Sequence, residues 1–194
     1  MENEQTMKLG RDLKVPSVLP TLLPTRDRTL YYTGSVNQIL NNRILLSIGK
    51  LLDQSNKPIG LFVTSPGGTT GSAMSFFDTI RHVLQPDLVT IGSGDVDSSG
   101  VIIFLSGTRR YVTARTTMLL HSAGRTFGSQ RYTTREMKAM LAEDRLKDLQ
   151  YATVLAESSR GKLTQANVLS MMERQMVLSP AQMLAYGLAD FVLP

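Results

Sequence analysis

Apolar positions along the chain fall into short runs that alternate between two periods. "TLYYTGSV" (Thr29 to Val36) has the β-branched and aromatic content of a strand and stops at Gly34. Val36, Ile39, Leu40, Ile44, Ile48 and Leu51/Leu52 then recur at helical spacing, which predicts an amphipathic helix of about four turns. "IGLFVT" (Ile59 to Thr64) is a continuous apolar run of strand length. It leads into "SPGGTTGSAMSFFDTIRHVL", a glycine-rich turn followed by a helix with Phe76, Phe77, Ile80 and Val83/Leu84 on its inner side. "LVTIG" (Leu88 to Gly92) predicts the next strand, a turn through Gly92, Gly94 and Asp95 follows, and "GVIIFLSG" predicts a helix closed by Gly107 at its C′ position.

Two short strands, "RRYVT" and "TTMLLH", come next, with His121 ending the second. The pattern from about Thr133 to Ser159 predicts one long helix, with Thr133 and Glu136 as a capping box and Gly161 as the stop. Thr164 caps a further helix through Met172. "MVLSPAQMLAYGLADFVLP" gives a short strand, a helix with Ser179 as cap, Pro180 at N1 and Gln182 at N3, a stop at Gly187, and a last strand. Strands alternating with helices across short connections predict an α/β fold with a largely parallel sheet. Residues 26–194 read as a single domain behind a flexible N-terminal arm over 1–25, with no internal repeat.

Composition narrows the function. Hydrophobic residues at 42% and charged residues at 19% are ordinary for a soluble globular protein. The net charge of +5 is scattered, with no basic run interleaved with aromatics, so no nucleic-acid partner is expected. Cysteine is absent, which excludes disulfides, thiolate zinc sites and a cysteine nucleophile, and His82 and His121 are too few for a histidine-rich metal site. No cofactor or metal is therefore expected in this chain. No stretch approaches the roughly 20 apolar residues of a membrane span. The start "MENEQTMKLGRDLKVPSVLP" lacks an export signal's charged start and apolar core, so a cytoplasmic protein without membrane contact is expected.

Three places carry candidate chemistry, each with a structural alternative. Ser65-Pro66-Gly67-Gly68 lets backbone N–H groups approach an anion or oxyanion, or is simply a tight strand-to-helix turn. It is not a phosphate-binding Walker loop, because no Lys-Ser/Thr follows the glycines. Ser98 opens the buried helix, as a cap or as a nucleophile in the positive field of a helix start with the Ser99 N–H beside it. His121 is a strand-end histidine or the base such a serine needs. The second reading requires Ser98 and His121 to meet, as they would after two strands of one sheet ending on the same side. His82 reads as structural or surface.

The order of these features resembles the ClpP family, the proteolytic subunits of the ATP-dependent Clp protease, built on a crotonase-like fold. The resemblance is carried by "RTLYYTGSVNQ", "TSPGGTTGSAMSFFDTI", "QPDLVTIGSG", "SSGV", "MLLH" and "LSPAQMLAYGLAD", and runs from about Arg26 to the C-terminus. It implies Ser98 as nucleophile, His121 as general base, and the N–H groups of Gly68 and Ser99 as oxyanion hole. It also implies that the long helix is the family's handle, joining two stacked heptameric rings into a tetradecamer. Intact protein substrates would then need a partner AAA+ unfoldase, which uses the ATP.

One departure falls on the catalytic set. Gln175 stands where the family has its catalytic aspartate. A neutral amide accepts a hydrogen bond but supplies no negative charge to the imidazolium, and such a replacement costs a serine protease about four orders of magnitude in turnover. Asp97 and Glu173 are the nearby carboxylates that could substitute. "HSAGRTFGSQ" also replaces the family's segment after the histidine, the one that pairs with extended peptide substrate. Two readings follow: a serine endopeptidase hydrolysing peptides and unfolded proteins within a homo-oligomeric ring, or a weak or inactive ring subunit assembling with an active paralogue. Two relatives of the fold offer other chemistries: an acyl-CoA enzyme using the same oxyanion hole, and a Ser–Lys peptidase using Lys138 or Lys147.

Overall fold

The computed structural model describes residues 23–194, and the expected arm lies outside the described residues up to residue 22. Strand β1 (Thr29–Thr33) leads through Val36 into helix α1 (Gln38–Gln54), capped by Asn37, whose side chain accepts from the Leu40 N–H. Then come β2 (Ile59–Ser65), α2 (Thr70–Asp78), β3 (Leu88–Val96), α3 (Ser99–Leu105), β4 (Arg109–Thr113) and β5 (Met118–Leu119). The chain ends with α4 (Thr134–Ser158), α5 (Gln165–Glu173), β6 (Val177–Leu178), α6 (Pro180–Ala185) and β7 (Phe191–Leu193).

Parallel neighbours need crossovers, and the helices supply them. The main sheet has the order β1-β2-β3-β4-β7, every pair parallel, while β5 and β6 form a separate antiparallel pair. The α/β fold with a largely parallel sheet is thus the observed one. β2 and the first half of β3 are buried almost continuously, as strands covered on both faces must be. All of α3, "SGVIIFL", is buried, as a helix apolar all round after Ser99 requires. By contrast, only Tyr151, Ala152 and Leu155 of α4 are buried, so its first turns stand clear of the core. Capping boxes at Thr133/Glu136, Thr164/Asn167 and Ser179/Gln182 start α4, α5 and α6.

Four local expectations are corrected. Val36 is not on α1 but bridges Gly68, and Ile39, expected on the apolar face, is exposed. α2 continues as a π-helical segment over Thr79–Leu84. The wider turn keeps i+4 neighbours on one face better than i+3, so Leu84 packs on the core while Val83 is exposed. Gly107 does not have a positive φ. It is glycine because a Cβ there would lie 2.4 Å from Thr90 Oγ1. Finally, β3 does not turn at Gly92 but continues to Val96, with a register shift opposite Val63/Ser65 that leaves Ser93–Asp95 unpaired to β2. That bulge frees the end of β3 to take a new partner.

Candidate active site

The new partner is the segment before His121. Thr117 N–H donates to Gly94 O (2.9 Å), Val96 N–H to Thr117 O (3.0 Å) and Ser98 N–H to Leu119 O (2.9 Å). The Asp97 side chain completes this ladder by accepting from Leu119 N–H at 2.8 Å. Ser98 and His121 are therefore brought together by a bulge and a short parallel ladder. They do not follow two strands of one sheet, since β5 belongs to the small antiparallel pair.

Ser98 takes φ 54° and ψ −129°. A residue with a Cβ is held in such a region only by its surroundings, at a cost of order 1–3 kcal/mol. The surroundings are specific: besides the Leu119 bond, Asp97 N–H donates to Ser65 O (2.9 Å) and the buried Tyr151 hydroxyl donates to Ser98 O (3.0 Å). Burial, and then the nearby Asp97 charge, raise the Tyr151 phenol and keep it a donor. The Ser98 side chain makes no capping hydrogen bond. Gly67, at φ +97°, leaves it room, because a Cβ there would lie 2.5 Å from Ser98 Cβ.

Beside Ser98 lie two unspent donors. Val36 N–H donates to Gly67 O (2.8 Å) and Thr69 N–H to Val36 O (3.0 Å), which presses Gly68 against the Val36 backbone. The N–H groups of Gly68 and Ser99 donate to nothing among the described residues. Ser99 Oγ is likewise buried without a partner.

His121 follows β5, whose pairing with β6 sets Met118 opposite Leu178 and Leu119 opposite Val177, extended by Leu120 N–H to Met176 O at 2.9 Å. The ladder ends there, and Gln175, the residue before Met176, lies in the turn after α5. Its side chain is exposed, its φ is 50°, and it makes no hydrogen bond with the imidazole. Instead His121 Nδ1 lies 2.8 Å from Ser122 O. A carbonyl oxygen has no proton to give, so this hydrogen bond requires the proton on Nδ1, and in the neutral ring it leaves the lone pair on Nε2. That is the tautomer a general base needs.

Ser98, Ser99, Gly68, His121, Tyr151 and Lys147 line one cavity of about 570 Å³. Gln175 does not, and Ser98 and His121 are not hydrogen-bonded to each other. Lys147 is held by Glu143 at 2.6 Å, and Lys138 lies outside the cavity. Of the other carboxylates, Glu173 is exposed and Asp97 spends Oδ1 on Leu119 N–H. His82 is exposed, 4.0 Å from Asp78. The segment after His121 is strapped to α4: Ala123 N–H donates to Asp148 (2.7 Å), and the Arg125 guanidinium pairs with Asp144 (2.8 Å) and Glu143 (2.6 Å). Hydrogen bonds from Lys147 and then Arg125 draw the Glu143 carboxyl down to about 2. Among the described residues no group of three or more His, Asp or Glu side chains is placed to hold a metal ion.

Asp97 gives a stability test. Its carboxyl is raised above the usual range, mainly by burial and further by Asp95, while the Leu119 hydrogen bond and His121 oppose the shift. A raised native value means the folded state binds more protons, so Asp97's contribution to stability falls as pH rises through that value. Asp97→Asn keeps an acceptor for Leu119 N–H and removes that slope. Asp97→Ala strands the N–H and is expected to cost about 1–3 kcal/mol in denaturant unfolding. Equal stability of the two variants would show that the hydrogen bond is not what Asp97 supplies.

With this geometry in place, comparison with known proteins identifies the group. The Clp protease family profile matches residues 17–194. The chain belongs to the Clp protease family. Within that family of proteases, it is 28% identical over 180 residues to the ATP-dependent Clp protease proteolytic subunit 1 of Leifsonia xyli subsp. xyli, covering 91% of this chain and 87% of that protein. It is 35% identical over 96 residues to proteolytic subunit 2 of Pseudomonas aeruginosa, an alignment spanning 48% of this chain and 47% of the relative, about half its length. Among solved structures, an Asn-to-Asp mutant of ClpP1 from Listeria monocytogenes matches with a TM-score of 0.75 at 22% identity, over 86% of this chain and 91% of that one. The ClpP-like fold expected from the sequence is thereby shown.

Two features of this Clp protease family member had no signal in the sequence. Tyr151 looks like one more apolar position on α4, and only the fold shows its hydroxyl on Ser98 O. The strap from Ala123 to Arg125 sits in the segment that departs from the family pattern, and its carboxylate partners lie on α4, far along the chain.

Proposed function

We propose that this Clp protease family member is a serine endopeptidase subunit, with Ser98 as nucleophile, His121 as general base, and the Gly68 and Ser99 N–H groups as oxyanion hole. The observation that carries the reading is Ser98 itself. It is held at positive φ, free of any capping bond, in one cavity with an Nδ1-protonated histidine and two unspent backbone donors. A capping serine has no use for that strain, whereas a nucleophile set on a sharp strand-to-helix turn does.

In the reaction, Ser98 Oγ attacks the scissile carbonyl as His121 Nε2 takes its proton. The carbonyl oxygen becomes an oxyanion facing the Gly68 and Ser99 N–H groups, each such donor being worth about a hundredfold or more in rate. His121 then protonates the leaving amine, and water attacks the acyl-serine by the same route in reverse. Polypeptide substrates, a ring of stacked heptamers and an ATP-using AAA+ unfoldase complete the proposal, with a cytoplasmic location. Among the described residues no helix is long and apolar enough to cross a membrane.

Two specific observations favour a second reading, a weak or inactive subunit awaiting an active paralogue. Ser98 and His121 are not hydrogen-bonded, and Gln175 supplies no charge. Apo catalytic hydrogen bonds tighten in the substrate complex, so the first observation is compatible with activity. Lys147 in the cavity keeps a Ser–Lys pair testable. Covalent labelling by a fluorophosphonate is expected to be lost in His121→Ala and kept in Lys147→Ala. The opposite pattern would make Lys147 the base.

A further inference from the structure

A carboxylate on α4, Asp148, is linked to the His121 ring through one peptide group. The Ser122 carbonyl that accepts from His121 Nδ1 and the Ala123 N–H that donates to Asp148 Oδ1 belong to one peptide group, at 2.8 and 2.7 Å. A planar trans peptide carries these two groups on opposite edges. The four parts therefore form a line: Asp148 carboxylate, peptide N–H, peptide carbonyl, His121 Nδ1–H. We propose that Asp148, acting through the Ser122–Ala123 peptide, supplies the orientation and negative polarisation that Gln175 does not. This rests on His121 being the base of the proposed peptidase.

The two hydrogen bonds reinforce each other along the line. A carboxylate at the N–H edge gives a charge-assisted hydrogen bond and draws the peptide dipole further toward the carbonyl oxygen. Chains of hydrogen bonds strengthen each other by about 10–30% per bond. The more negative Ser122 oxygen holds Nδ1–H more firmly, fixing the tautomer, and stabilises the imidazolium formed when Nε2 accepts the Ser98 proton. Two hydrogen bonds joined by one peptide bond make up the line, and no proton passes from the imidazole to Asp148. Asp148 lines the same cavity, but it reaches His121 only through the Ser122–Ala123 peptide, so the role assigned to it is that of a positioning residue. Its place is fixed from two sides, since Arg125 anchors the strap one turn earlier on α4 through Asp144 and Glu143. Lys147, the cation adjoining Asp148, is engaged by Glu143 at 2.6 Å.

The test reads the histidine directly, because the chain has only His82 and His121. Magic-angle-spinning NMR on sedimented, 15N-histidine-labelled oligomer, with His82→Gln for assignment, reports which ring nitrogen of His121 is protonated. The Nδ1–H form is expected in the unsubstituted chain and a mixture with Nε2–H in Asp148→Ala. Asp148→Asn keeps an acceptor for Ala123 N–H but no charge, so it is expected to keep the tautomer while slowing fluorophosphonate labelling of Ser98 roughly tenfold. Labelling in Asp148→Ala is expected to fall about a hundredfold. Adding Gln175→Asp is expected to restore more of the rate in Asp148→Ala than it adds to the unsubstituted chain. An unchanged His121 spectrum in folded Asp148→Ala overturns the inference. Where the unsubstituted chain does label, equal labelling by Asp148→Asn overturns it too. A chain that never labels while its tautomer still responds to Asp148 retains the relay and defeats the peptidase reading instead.

Discussion

Ser98→Ala is expected to abolish peptide hydrolysis and covalent labelling while leaving the fold intact. Removing a nucleophile leaves only the catalysis that binding and the oxyanion donors provide, so a loss of at least about three orders of magnitude is expected. The fold survives because the hydroxyl makes no capping bond, and alanine demands the same backbone that serine does. Unfolding free energy should stay within about 0.5 kcal/mol of the unsubstituted chain. Ser98→Gly separates the two roles of this position. It removes the nucleophile too, but relieves a backbone held at φ 54°, and is expected to be about 1 kcal/mol more stable than Ser98→Ala. If Ser98→Ala hydrolysed peptides at the original rate, Ser98 would not be the nucleophile.

Gly68→Ala is expected to lose both activity and stability. A Cβ at Gly68 would stand 2.4 Å from Val36 O and 2.8 Å from Val36 N, backbone atoms tied down on both sides, at a φ of +151°. The loop must then leave Val36, breaking the bonds through Gly67 O and Thr69 N–H and carrying the Gly68 donor away from Ser98. Overpacking against fixed backbone costs about 1–3 kcal/mol, and a displaced oxyanion donor costs about a hundredfold or more in rate. Gly71 is the control. It lies inside α2 with open space where a Cβ would go, so Gly71→Ala should stabilise the helix by up to about 1 kcal/mol and leave hydrolysis untouched. Peptide turnover and urea unfolding on the two variants distinguish these outcomes; equal behaviour would mean the loop does not need glycine at 68.

Most of the architecture was legible in the sequence because period and caps report on local structure. The strand and helix runs, the capping residues Thr133, Thr164 and Ser179, and the parallel α/β class all follow from spacing and side-chain type. What was not legible depends on tertiary partners. Nothing local in "TIGSGDV" tells a turn from a bulged strand, because the choice is made by Thr117 pairing with Gly94. Val83 and Leu84 could not be ranked without knowing that α2 widens to a π-turn. At the site, residue types marked Ser98, His121 and the two glycines, but the Ser98 backbone angle, the Tyr151 bond and the Asp148 strap join residues far apart in the chain. Gln175 shows the reverse case. Its identity was visible as a departure, whereas its exposure, with His121 turned to Ser122 O, needed the fold.

The central claim is that Ser98 is an activated nucleophile despite Gln175, and intact-mass analysis after fluorophosphonate treatment tests it most directly. The unsubstituted chain and Ser98→Ala are treated side by side, with assembly checked on each. The account predicts one stoichiometric adduct on the unsubstituted chain and none on Ser98→Ala. An assembled, folded oligomer that takes up no adduct, or one that labels equally well without Ser98, would contradict it.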